Sequence, residues 1–83
     1  MRRKQFTFTV SDAAILFGKS PVTLRQWEKK GIVDFPRLTN GARRMSSNDI
    51  RQIALVVQHK NYITRQRLQL INAILTMMEL AEQ

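Results

Sequence analysis

The chain is 83 residues long, a length that fits one domain. It has no cysteine, which excludes disulfides and thiolate metal sites. Fourteen Lys and Arg against six Asp and Glu give a formal charge of +8, so a polyanionic partner is expected. The charge is unevenly placed. Residues 2–67 hold all fourteen bases and four acids, a net of +10, whereas residues 68–83 hold no base and two acids, Glu79 and Glu82. No apolar run approaches the ~18 residues that span a bilayer. Met1-Arg2-Arg3-Lys4 leads into alternating Phe and Thr, not into the apolar core of a signal peptide, so no membrane partner and a cytoplasmic location are expected.

In chain order, a basic arm (residues 1–5) precedes Phe6-Thr7-Phe8-Thr9-Val10, whose alternation predicts a short strand. Ser11-Asp12 offers a cap and an acid for the start of a first helix carrying Ala13, Ala14, Leu16 and Phe17, with Gly18 as a left-handed stop. Ser20 at N-cap and Pro21 at N1 open a second helix that runs to Lys30 and stops at Gly31. Two short helices joined by a glycine-containing turn form the helix-turn-helix pattern. Asn40-Gly41, flanked by Arg37 and by Arg43-Arg44, predicts a tight β-hairpin over 36–46. Ser46 and Asp49 have capping-box spacing for a third helix, with Ile50, Ile53, Ala54 and Val57 on its apolar face. Asn61-Tyr62-Ile63-Thr64 interrupts the pattern. A last helix from about Thr64 to Ala81 carries two apolar stripes: Leu68, Ile71, Leu75 and Met78, and beside it Leu70, Ile74, Met77 and Ala81.

The expected fold is therefore mainly α with a small β-hairpin: a winged helix-turn-helix over residues 6–60, followed by a C-terminal amphipathic helix within 61–83. The second helix is short enough to enter a major groove. Arg25 suits guanine and Gln26 suits adenine; Ser20 and Thr23 are candidate phosphate donors; Lys29 and Lys30 suit phosphate neutralisation. Arg37, Arg43 and Arg44 would place the wing on the flanking backbone or in a narrow minor groove, which Arg2, Arg3 and Lys4 of the arm could also reach. Trp27 falls on the inner side of its helix and reads as a core residue. Two apolar stripes exceed what one packing contact needs, so Leu68, Ile71, Ile74, Leu75 and Met78 are expected to make a homodimer, and Ile71→Glu or Leu75→Glu to give a folded monomer.

Thr9-Val10-Ser11-Asp12-Ala13-Ala14 with Leu16, Gly18 and Ser20, then Thr23-Leu24-Arg25-Gln26-Trp27-Glu28 and Gly31-Ile32-Val33, resembles the DNA-binding domain of the MerR (mercury-resistance regulator) superfamily. Asn40-Gly41-Ala42-Arg43-Arg44-Met45-Ser46 is similar to that family's wing, and Asp49-Ile50 to the start of its next helix. The likeness covers roughly residues 6 to 60. It implies Arg25 as the recognition-helix contact, Thr23 and Trp27 beside the backbone, Arg43 as the wing arginine, and a bacterial, phage or plasmid setting. Gln26, Ala42 and Met45 stand where the family usually has aromatics, and Lys19 where it has an apolar turn residue. The resemblance also implies that an effector domain is missing, so neither a small-molecule effector nor a cofactor is expected.

The function expected from all this is sequence-specific binding of double-stranded DNA by a small dimeric regulator, most simply a repressor. An architectural DNA-binding role is the alternative, of the kind filled by excisionases, terminase small subunits or segregation factors. A protein-interaction module built on the last helix is a third. An enzyme is not expected: His59 is the sole histidine, without a paired base or nucleophile, and no metal-ligand spacing or phosphate loop is present.

Overall fold

A computed structural model of the chain describes residues 6–35 and 44–82. Four helices account for most of them: α1 (Val10–Phe17), α2 (Pro21–Lys29), α3 (Ser47–His59) and α4 (Arg65–Ala81). Each starts where local chemistry satisfies its free amides. Ser20 caps α2 with Pro21 at the first position, and Ser46 with Asp49 forms a full capping box on α3. Thr64 caps α4, its Oγ1 accepting from the Arg67 amide at 3.0 Å.

The start of α1 differs from the expected one. Thr9, not Ser11, is the N-cap, and Asp12 returns a bond to the Thr9 amide at 3.0 Å. The reciprocal box satisfies two amides, so the helix begins a residue before the expected cap and takes Val10 from the expected strand. What remains of that strand is one antiparallel bridge between Phe8 and Met45, with N–O distances of 2.7 and 2.8 Å. Among the described residues this is the whole of the β-structure, so the fold is helical with no hairpin shown. The expected wing, with Asn40-Gly41, Arg37 and Arg43, lies outside the described residues, as do Arg2, Arg3 and Lys4. Phe35 and Met45, on either side of residues 36–43, are both buried.

One core joins all the elements. Ala13, Ala14 and Phe17 of α1 meet Leu24 and Trp27 of α2, and Ile50, Ile53, Ala54 and Val57 supply the expected face of α3. α4 packs on α3 and on α1. Its inward stripe is Leu68, Ile71, Leu75 and Met78, of which Ile71 and Leu75 are fully enclosed within the single chain. This corrects the expected dimer residues: Ile71 and Leu75 have no surface to offer a second copy, because α3 and α1 already cover them. The second stripe stays outside, with Leu70 47% and Met77 70% exposed.

Polar ties fix α4 in place. Arg51 of α3 donates Nε and Nη2 to Glu79 at 3.2 and 2.7 Å, and reaches Asn72 Oδ1 and Thr76 Oγ1 at 3.1 and 2.9 Å. Glu82 accepts the Phe6 amide at 2.9 Å, tying the start of the described chain to the end of α4. Both acids of the C-terminal segment thus have structural partners. The Arg51 hydrogen bonds, and then one from Ser47, lower the pKa of Glu79 below the usual carboxylate range. A depressed carboxylate stabilises the fold above its unfolded-state pKa of ~4.3, and that contribution is lost as pH falls through the lower folded value. We expect Glu79→Gln to lower the melting temperature at neutral pH and to flatten its fall on acidification. An unaltered acid limb in the variant would show that the clamp contributes nothing to stability.

Candidate nucleic-acid interface

Gly18 turns the chain out of α1 with φ 68°, and its amide bonds back to Ile15. The backbone conformation suits glycine, which has no Cβ to strain it. Three residues later α2 begins. Its inner side is held by Leu24, fully buried, and by Trp27, whose ring lies between Phe17 at 6.1 Å and Tyr62 at 5.7 Å. Trp27 is a core residue, as its position in the helix implied. With that side locked, positions i, i+3, i+4 and i+7 from Val22 must face outward together. They are Val22, Arg25, Gln26 and Lys29, all exposed.

This outward face is about 11 Å long, close to the width of a B-DNA major groove. Lys30, the C-cap, is exposed at its far end, and Thr23 is half-buried at its near end. The Ser20 hydroxyl accepts the Thr23 amide at 3.2 Å and lies 3.0 Å from the Thr23 hydroxyl. Since one of the two hydroxyls donates to the other, a single hydroxyl hydrogen of the pair is left for a phosphate oxygen. Arg44 is exposed just before the Met45 bridge. The structure thus gathers Ser20, Thr23, Arg25, Gln26, Lys29 and Lys30 on or beside one helix.

Two features escaped the reading of residue types. Val22, 57% exposed, stands at the near end of the polar face, where an apolar side chain has no core to join. Its position at i−3 from Arg25 and i−4 from Gln26 was the available signal. The second is a set of bases around the α3–α4 corner, where Lys19 of the turn comes to the same cleft as Arg65 and Arg67 of α4. At the other end of α3, Ser46 and Asp49 are engaged in the cap; His59 sits in its last turn, where a cation suits the dipole. Among the described residues no group of acids and histidines could hold a metal ion.

Two short capped helices joined by a glycine turn, the second anchored by Trp27 and basic on its outer side, define a helix-turn-helix protein. The family model described as MerR HTH family regulatory protein matches residues 8–62, well over half of the chain, and the chain belongs to that family. Its class is therefore that of DNA-binding regulatory proteins. No curated protein and no solved structure gives a significant match. No helix of the described residues is long and apolar enough to cross a membrane.

Proposed function

We propose that the protein is a sequence-specific regulator of transcription that binds duplex DNA as a homodimer, with α2 in the major groove, and represses by occlusion. The observation that carries this reading is the outward face of α2. Arg25 and Gln26 are bidentate readers of guanine and adenine, Val22 fits a thymine methyl group, and Lys29 meets the adjoining phosphate. A face that is merely solvated has no use for an exposed valine among such residues. Arg37, Arg43 and Arg44 of the expected wing extend the contact to the flanking backbone or minor groove. The apolar outer stripe of α4, centred on Leu70, Ile74 and Met77, supplies the surface for the second copy.

Selection from a randomised duplex pool at near-physiological salt tests this directly. The expected product is an inverted repeat with half-sites one or two helical turns apart, the signature of a two-fold dimer. Direct repeats would instead assign an architectural role in which copies line up along the duplex. On any duplex, log K should fall with log salt at a slope near −5, for ~6 phosphate contacts. No retention of duplex at low salt would overturn the reading and leave α4 as a docking surface for another protein.

A further inference from the structure

We propose that the cleft between the helix-turn-helix turn and the α3–α4 corner is a phosphate-binding site, formed by Lys19, Arg65 and Arg67. The cleft has a volume of about 530 Å³ and is open to solvent. Among the described residues its charged lining is Lys19, Arg65 and Arg67, and no carboxylate joins them. None of the three makes an ion pair with a described residue, in contrast to Arg51, which is fully engaged by Glu79. Cations gathered in one concavity without a counter-charge repel one another, and an anion relieves that repulsion.

The local backbone reinforces the choice of ligand. Arg67 is half-buried and lies across Gly18: a methyl group added at Gly18 would stand 2.9 Å from its Nη2 and 3.0 Å from its Cζ. The missing side chain at Gly18 therefore serves two ends. It permits the left-handed turn, and it lets a guanidinium lie against the turn that sets Lys19. A planar guanidinium packed against the turn in this way offers its N–H donors as a pre-formed fork, which suits tetrahedral oxyanions. Asn61 and Gln58 also line the cleft with neutral polar groups, and the start of α4 contributes the positive end of its dipole beside Arg65. Asn61 takes a left-handed φ of 67° at the corner between α3 and α4.

Phosphate on this cleft has two sources, the backbone of bound DNA or a free phosphorylated compound. The site rests on its own charge and geometry, so it can be tested apart from the duplex reading. In an amide NMR titration of the full chain with inorganic pyrophosphate, shifts at Gly18, Lys19, Asn61, Thr64 and Arg67 should saturate. They should weaken at least about tenfold in Arg65→Gln/Arg67→Gln, in line with the loss of two charge-assisted contacts. Lys19→Gln, in an exposed turn, provides a second variant should the double one lose its fold. A uniform, non-saturating drift over all basic residues would overturn the site. Duplex binding identifies the source. If the phosphate belongs to DNA, pyrophosphate competes with duplex and the double variant shortens the salt slope by about 1.8, at 0.9 per phosphate. Saturation by pyrophosphate with an unchanged slope keeps the site and assigns it to a free phosphorylated compound. If wild-type chain binds no duplex, the regulator reading falls while the pyrophosphate titration still decides the cleft.

Discussion

Leu75→Glu should leave no folded protein at neutral pH, whereas Met77→Glu, two residues away on the same helix, should fold normally and lose only the proposed self-association. Leu75 is fully buried and Met77 is 70% exposed. A carboxylate at position 75 would be enclosed by α3 and α1, and Arg51, the α3 cation that reaches α4, is already engaged by Glu79. The cost of several kcal/mol is comparable with the whole stability of a domain this size, about 4–12 kcal/mol. The milder Leu75→Ala should cost about 2–5 kcal/mol through lost transfer energy and an unfilled cavity. At position 77 the glutamate meets water in the monomer, and the price falls only on an interface between copies. Circular dichroism melts with sedimentation equilibrium separate the outcomes. A folded monomer from Leu75→Glu would return that residue to the partner surface. A folded dimer from Met77→Glu would remove the outer stripe of α4 from the proposed interface.

The reversal at α4 shows where reading from sequence stops. Both stripes were visible as periodicities, and their compositions are nearly alike: Leu, Ile, Leu, Met against Leu, Ile, Met, Ala. Periodicity says that two faces are apolar; which one turns inward depends on the tilt set by α1 and α3. Caps were legible because their chemistry is local. Ser20-Pro21 and Ser46 with Asp49 mark their helices within four residues. Thr9 with Asp12 has the same spacing, but the Phe-Thr alternation before it mimics a strand, and a lone bridge to Met45 was all that pairing could offer. The outward set on α2 followed from Leu24 and Trp27 being inward. The Arg51 clamp and the Lys19–Arg65–Arg67 cleft were not legible, since each joins residues brought together only when α4 is docked.

Arg25→Ala is expected to weaken binding to the selected site by about 1–3 kcal/mol, roughly a five- to 150-fold loss, and to relax base preference at one position per half-site. The side chain is exposed and has no side-chain partner among the described residues, so the melting temperature should stay within the range of ordinary surface changes, about ±0.5 kcal/mol. Lys29→Ala, one turn further along the same face, makes the comparison. A phosphate contact carries no sequence information, so its loss should weaken selected and random duplexes alike and reduce the salt slope by about 0.9. The two substitutions remove the same charge from the same helix. Only the geometry differs: Arg25 stands between Val22 and Lys29 on the strip proposed to face base edges, and Lys29 stands in the last turn of α2. Affinities measured on selected and random duplexes across a salt series therefore test orientation and not charge. Equal weakening by Arg25→Ala on every sequence would place its guanidinium on a phosphate, and base reading would then pass to Gln26 and Val22.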